Sequence, residues 1–334
     1  MGSQIGGFVE REEMSLKELG NIRDTDLTAA VDTYTWLYAF LHKIVDYKTH
    51  KPLKDSEGRI TSHLSGLYYR TMNIRAAGID PVFVFEGGYP DLKEDEIESR
   101  NKSKEKAQRE YEIARAIGND ERAKELETSR RKISDEMVAT AYDLIEAMGC
   151  PIIEPPEEAE AQCAKLCEDG QVDFVISSDY DTLLHGSPNL IQNLNSTSGD
   201  LILLDKSLDK SDLNYREFVW IGIMMGTDFN KSPHGVGEKT SYDIAKSSNS
   251  IGEVVNQCKE YDGNIDGEIW RSTFEILTQP NVDLDIDFEK WKMPNKDSII
   301  EILVEKHEFS EQKVLSSYQN VEEKIGTSTF DEFM

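Results

Sequence analysis

Short apolar runs alternate along the chain with stretches of helical spacing, a pattern that predicts an α/β fold with a mostly parallel, twisted sheet flanked by helices. Leu27–Val31 is the first such run, and Trp36–Val45 after it has helical spacing. Pro81–Phe85 is the second. Cys150–Ile153 is the third, stopped by Pro155 and Pro156, and Phe174–Ser178 is the fourth. Asn189–Asn193 and Leu201–Leu204 read as a pair of strands near a sheet edge. After about Asn214 the chain reads as helical with glycine-punctuated turns. It contains no internal repeat or low-complexity linker, so one compact unit with an insertion is expected.

The insertion is the polar stretch Asp91–Glu136, which reads as two helices joined at Gly118-Asn119-Asp120. It divides the expected unit (1–325) into an N-terminal region (1–90), the helical insert (91–136), an internal region (137–215), a turn-rich helical region (216–262) and C-terminal helices (263–325). Residues 326–334 form a tail.

Composition changes this picture in two ways. With 334 residues, 38% of them hydrophobic, the chain can bury a sizeable core, and it lacks both a membrane-length apolar run and a basic-then-apolar leader. A soluble, intracellular protein with no membrane attachment is expected. Cys150, Cys163, Cys167 and Cys258 have no neighbouring histidine at metal spacing, so they read as buried reduced thiols. The six histidines are scattered singly and read as structural.

The charge is the second change. Sixty-four acidic residues against 37 basic ones leave a net charge of −27, which ordinarily argues against a nucleic-acid partner. The basic residues are unevenly spread, however. Residues 91–136 hold 12 Lys/Arg and 14 Asp/Glu, about three times the basic density of the remainder. A solvated helix with alternating charges is the plain explanation of that segment taken alone.

The candidate chemistry lies where the apolar runs stop. The first ends in Asp32, the second in Glu86, and the fourth runs into Asp179-Tyr180-Asp181. In open parallel sheets, sites form in the crevice at the carboxyl ends of the strands. Glu158 and Glu160 follow the third run at a helix start, where either acid alone would serve the helix dipole. Asp228 stands in Gly226-Thr227-Asp228 and completes a set of seven. Carboxylates brought together repel one another unless cations lie between them. Two Mg²⁺ ions, hard and tolerant of few direct carboxylates, could there activate a water and stabilise the leaving oxygen of a phosphodiester. A calcium-binding loop with EF-hand spacing is absent. Seven residues beyond Asp228 comes Gly235-Val236-Gly237-Glu238-Lys239, then a helical stretch over Ser241–Ala245. Such a turn exposes backbone amides to a phosphate that Lys239 could neutralise.

These residues resemble the flap endonuclease family of structure-specific 5′ nucleases, from Met1 to about Ala245. The matching pieces are Ala30-Val31-Asp32 with Tyr38, Thr61 to Gly66 with Tyr69-Arg70-Thr71, and Val82 to Gly87. They continue with Pro156 to Ala161, Ser178 to Asp181, Gly226 to Asp228 and Gly235 to Lys239.

The resemblance implies a PIN-like nuclease fold in which Asp32, Glu86, Glu158, Glu160, Asp179, Asp181 and Asp228 surround two Mg²⁺ ions, with Mn²⁺ able to substitute. It makes 91–136 a helical arch over the active site, with Lys93 and Arg100 reaching the scissile phosphate. Their separation of seven residues is two helical turns. Tyr38 matches an aromatic on which a terminal base stacks. Arg70 and Thr61 fall among the family's DNA contacts, Thr61 where a one-nucleotide 3′ flap is bound, although hydroxyls at a helix start are also ordinary caps. Gly235, Gly237 and Lys239 match a helix–two-turn–helix that grips duplex backbone, commonly with K⁺. The implied enzyme acts as a monomer on branched DNA in replication and repair, in the cytoplasm with the nucleoid, or in the nucleus of a eukaryote.

Two positions depart from the family. Glu86 stands where aspartate is usual, lengthening that carboxylate by one methylene. The tail Thr327 to Met334 resembles a sliding-clamp binding segment, with Phe330 as its plug and Phe333-Met334 as its aromatic pair, but Thr327 replaces the usual glutamine and Met334 the last aromatic. A disordered acidic tail is the competing reading. The acidic surface fits a halophilic or salt-tolerant archaeal source, because at 1 M salt the Debye length is only about 3 Å and long-range steering is lost. Three alternatives stay open: a 5′ exonuclease or Holliday-junction resolvase of the same family, a catalytically silent DNA- or clamp-binding protein of this fold, and an acidic calcium-binding protein.

Overall fold

The apolar runs of the sequence become strands of a seven-stranded sheet in a computed structural model that describes residues 5–23, 26–88, 90–117, 119, 131–284, 286–288 and 290–331. The strands are β1 (Glu12–Ser15), β2 (Leu27–Asp32), β3 (Ile79–Val84), β4 (Ile152–Ile153), β5 (Phe174–Ile176), β6 (Asn189–Gln192) and β7 (Ser198–Leu203). The described helices of eight residues or more are α1 (Thr33–Lys43), α2 (Ser62–Ala76), α3 (Glu94–Ala116), α4 (Asp135–Ala147), α5 (Ala159–Glu168), α6 (Leu204–Ser211), α7 (Tyr215–Met225), α8 (Glu238–Ser247), α9 (Ile251–Cys258), α10 (Gly267–Thr278) and α11 (Glu311–Asp331).

Chain contacts gather these elements into two compact units, each assembled from three separate stretches. Met1–Thr33, Asn73–Leu92 and Cys150–Trp291 make the first, and Tyr34–Met72, Lys93–Gly149 and Lys292–Met334 the second. The expectation from sequence was one unit with an insertion.

The first unit holds the whole sheet, in the order β1-β7-β6-β5-β2-β3-β4. The five strands from β6 to β4 are parallel; β7 pairs antiparallel with β6, and β1 pairs antiparallel with β7 at that edge. The β6–β7 pair matches its expectation, but the edge itself is β1, whose polar Glu-Glu-Met-Ser gives no strand signal. Central strands covered on both faces read as continuous apolar runs, and β5 is buried at every position. Pro81 in β3 is tolerated because β4 pairs only with Phe83 and Val84, so the missing N–H precedes the ladder on that side. Its carbonyl accepts from Trp291 Nε1 at 2.6 Å.

The core of this unit runs from Ala30 on β2, through Val82 and Val84 on β3, to Phe218 and Ile221 on α7 and Val254 on α9. All four cysteines are buried free thiols, as expected.

In the second unit α1 and α2 pack so closely that a Cβ on Gly66 would lie 2.1 Å from Cγ of Phe40. Tyr68 on α2 donates to the Val314 carbonyl of α11 at 2.8 Å. The insert contributes α3, while Gly118, Asp120 and the second expected helix lie outside the described residues. No described helix is long and apolar enough to cross a membrane.

Candidate active site

The register of the parallel strands decides where the acids stand. Asp32, the last residue of β2, pairs with Val84 of β3, and Val31 pairs with Ile176 of β5. Glu86 therefore follows its strand by two residues and Asp179 by three, on the same carboxyl edge as Asp32. Asp32, Glu158 and Asp181 are buried, while Glu86, Glu160, Asp179 and Asp228 are half-buried.

Two backbone ties join the end of β3 to the start of α5. The amide of Gly87 donates to the Glu157 carbonyl at 2.8 Å and that of Gly88 to Pro156 at 3.0 Å. Glycine is required at 87, because a Cβ there would lie 2.0 Å from the Pro155 carbonyl oxygen. The Ala159 amide donates to Glu86 Oε2 at 3.4 Å, so this longer carboxylate is turned toward the positive end of α5. Glu158 occupies the cap position of α5 without making a side-chain capping bond.

Electrostatics agree with the grouping. Burial pushes the Cys163 thiol on α5 far above the usual range, and the charges of Asp32, Glu160 and Glu86 push it further. Those three carboxylates thus act on one buried thiol. Burial also raises the Asp179 carboxyl; the Asp181 amide opposes the rise and the Asp228 charge adds to it. The Asp181 amide donates to Asp179 Oδ1 at 3.3 Å. Nevertheless, among the described residues no three His, Cys, Asp or Glu side chains are grouped closely enough to hold a metal unaided.

The turn over residues 235–239, expected from sequence to hold a phosphate, is open. Gly235 has φ +82°, a conformation that L side chains rarely adopt, and nothing lies within 4 Å of a Cβ at Gly235 or Gly237. Gly237 caps α8, which begins at Glu238, three residues before the helical spacing expected from Ser241. Lys239 is exposed on its first turn.

The remaining predicted residues belong to the second unit. Lys93 ends the 3-10 turn Asp91–Lys93 and caps α3, its backbone helical at φ −84° and ψ −11°, so it precedes the helix that carries Arg100. The Arg100 side chain lies outside the described residues. Tyr38 is 43% exposed on α1, its ring 4.1 Å from that of His42. Arg70 places its guanidinium 5.6 Å from the Phe40 ring. Thr61 is buried, and its amide donates to the Leu53 carbonyl at 2.8 Å. Helix α11 continues through Thr327 to Asp331, whereas the Phe330 side chain and Phe333 lie outside the described residues.

Sequence reasoning passed over one basic segment in this unit. Residues 42–54 hold four lysines (Lys43, Lys48, Lys51, Lys54), two histidines and a single acid, Asp46. Asp46 Oδ1 is occupied by the Lys48 and Thr49 amides and the Thr49 hydroxyl. The loop is held by the Val45–Pro52 bridge and by Arg131, which donates to the carbonyls of Leu41, His42 and His50. Tyr47 projects from it, 77% exposed, with Lys48 Nζ 5.3 Å from its ring centroid. A count of lysine density in windows of about a dozen residues, rather than over the long insert, would have found it.

Comparison with known proteins agrees with this architecture. The XPG N-terminal domain model matches residues 11–107 and the XPG I-region model residues 149–228. The flap endonuclease 1 of Staphylothermus marinus is 36% identical over 338 residues, covering 96% of this chain and 94% of the relative. That of Nanoarchaeum equitans is also 36% identical, over 97% of this chain and 96% of its own length. Among solved structures, the flap endonuclease-1 of Methanococcus jannaschii superposes with a TM-score of 0.75 at 28% identity, covering 98% of this chain and all of the other. The catalytic core of Rad2 in complex with a DNA substrate shares the fold, with a TM-score of 0.71 at 21% identity over 96% of this chain and all of that one. On sequence and fold alike, this chain belongs to the flap endonuclease family.

Proposed function

We propose that this chain is a structure-specific 5′ flap endonuclease that hydrolyses a phosphodiester near the flap base and leaves a 5′-phosphate and a 3′-hydroxyl. The observation that carries the reading is the register of β5, β2 and β3, which brings acids from three strands to one sheet edge.

Two Mg²⁺ ions, or Mn²⁺ in their place, fit the donor set of Asp32, Glu86, Glu158, Glu160, Asp179, Asp181 and Asp228, all hard carboxylate oxygens. Mg²⁺ takes few carboxylates directly and keeps several of its waters, so a set of this size can include outer residues that hold metal-bound water. When bound, such ions activate the attacking water and stabilise the leaving oxygen. The chain's own residues do the rest. Lys93 and Arg100 neutralise charge developing on the scissile phosphate. Tyr38 stacks a terminal base, and Arg70 and Thr61 contribute on the same unit. The amides of Gly235 and Gly237, with Lys239 and a K⁺ ion, hold duplex backbone. The 42–54 lysines and Tyr47 add phosphate and base contacts in an otherwise acidic chain. The enzyme works as a monomer, with the nucleoid, and Phe330 and Phe333 engage a sliding clamp.

The test is cleavage of a labelled double-flap DNA with Mg²⁺ across a range of salt, comparing the wild type with Asp179→Asn. The expected result is a cut at the flap base that falls by roughly 10²–10³ in the variant. No metal-dependent cut, or an equally active variant, overturns the reading.

A further inference from the structure

The segment before the sheet carries a contact that none of the roles above requires. Ile5 is fully buried in the core of the first unit, and Gly6–Phe8 form one 3-10 turn. The Phe8 ring lies parallel to Tyr242 of α8 at 6.4 Å, and its carbonyl accepts from the Ser211 hydroxyl at 3.0 Å. The Glu10 amide donates to Ser207 Oγ at 3.1 Å. The segment is therefore fixed along its length, and it delivers Arg11 to Tyr180. Arg11 Nε donates to the Tyr180 hydroxyl at 2.9 Å, and a terminal nitrogen of the guanidinium donates to the same oxygen. The guanidinium carbon also lies 5.4 Å from the Tyr180 ring centroid. A Cβ on Gly6 would come within 2.9 Å of Arg11 and 3.6 Å of the Tyr180 hydroxyl, so glycine keeps room for the pair.

Tyr180 is the residue between Asp179 and Asp181. Two carboxylates this close in sequence repel each other. The tie from the Asp181 amide to Asp179 is long, at 3.3 Å, so the turn gains from an external hold on its middle side chain. A hydroxyl oxygen has two lone pairs and can accept both guanidinium donors at once.

We infer that Arg11 is a positioning residue that grips Tyr180 and thereby sets the placement of Asp179 and Asp181 for divalent ions. The inference rests on the divalent-ion reading of the acid edge. Arg11 is not assigned a contact with substrate.

The test uses the full chain and three variants: Arg11→Ala, Tyr180→Phe, and both together. Mn²⁺ binding is read by electron paramagnetic resonance without DNA, beside the Mg²⁺ midpoint of flap cleavage. Each single variant is expected to weaken Mn²⁺ binding and raise the Mg²⁺ midpoint by roughly ten-fold, with melting temperature preserved. The double variant should be no worse than the weaker single, because both remove one contact. Should Arg11→Ala fail to fold, Tyr180→Phe carries the test, since it deletes only the accepting oxygen. Unchanged Mn²⁺ binding in the single variants overturns the inference. So do additive losses in the double variant, or a loss of DNA affinity with ion binding intact. A wild type that neither binds Mn²⁺ nor cuts flap DNA fails the underlying reading instead.

Discussion

Glu86 Oε2 lies 3.4 Å from the backbone nitrogen of Ala159, so one oxygen of this carboxylate faces the first turn of α5. Glutamate carries its carboxylate one methylene further from the backbone than aspartate would. Glu86→Gln removes the charge while keeping the reach, and should lower single-turnover flap cleavage by more than about ten-fold while raising the Mg²⁺ midpoint. Glu86→Asp should stay within about ten-fold of the wild type, because a hard anionic donor remains. A near-wild-type Glu86→Gln beside an impaired Glu86→Asp would show that length, not charge, is what the site uses.

Gly87→Ala should both destabilise the protein and slow it. The new Cβ would meet the Pro155 carbonyl at 2.0 Å, a backbone atom that cannot rotate away, while the same change at Gly88 meets Pro156 at 3.2 Å. Overpacking of this kind costs about 1–3 kcal/mol, and the displaced strand end carries Glu86 with it. Urea midpoints and cleavage rates of the two alanine variants should rank Gly87→Ala well below Gly88→Ala.

The second unit should lose stability in mild acid through His63. This side chain is buried, with Nε2 3.3 Å from the Thr140 hydroxyl and no hydrogen-bond partner for Nδ1 among the described residues. Burial, reinforced by neighbouring His307, lowers its pKa to about 4. A depressed histidine binds its proton more weakly folded than unfolded. Its contribution is therefore complete above about pH 6.5 and declines as the pH falls toward 4, by roughly 3 kcal/mol in all. Urea midpoints from pH 7.5 to 4.5 should fall less steeply in His63→Gln than in the wild type, and parallel curves would remove the histidine from the account.

The lysine loop should reveal itself through salt. Lys48→Ala and Lys51→Ala should each weaken duplex or flap binding and reduce the slope of log affinity against log salt by about one. Tyr47→Ala should weaken binding by about 1–3 kcal/mol with little change in that slope. Fluorescence anisotropy over a KCl series separates the two, and unchanged slopes would exclude the loop from the interface.

The net charge of −27 should make the protein salt-requiring. Raising KCl from roughly 0.1 M to roughly 1 M screens that self-repulsion and should raise the melting temperature and shift the activity optimum upward. A protein that is soluble, stable and fastest at low salt would not have the halotolerant character expected of it.

The strand-borne part of the acid edge was legible in the sequence because Asp32, Glu86 and Asp179 each follow a run of residues suited to burial, as at Ala29 to Asp32 and Val82 to Glu86. Apolar continuity names the strand, and the parallel register then places its end. β1 was not legible, because an edge strand needs backbone pairing on only one side and Glu12 to Ser15 bury no face. The Arg11–Tyr180 contact was equally hidden: its partners are 169 residues apart and each is unremarkable alone. Pairing of that kind is decided by where the sheet brings the chain back, not by any local spacing.

The pairing of β1 with β7 also has a consequence for synthesis. Glu12 lies opposite Leu201, so the first strand made must wait for the last one before it can join the sheet. At 5–20 residues per second that is roughly ten to forty seconds on the ribosome. Early in this time β2 and β3 are both made, since Leu27 pairs with Ile79 only about fifty residues on, but β5 and the Asp179–Asp181 turn do not yet exist. The nascent chain therefore passes through a period in which apolar strands are assembled while the acids that give the edge its charge are still incomplete.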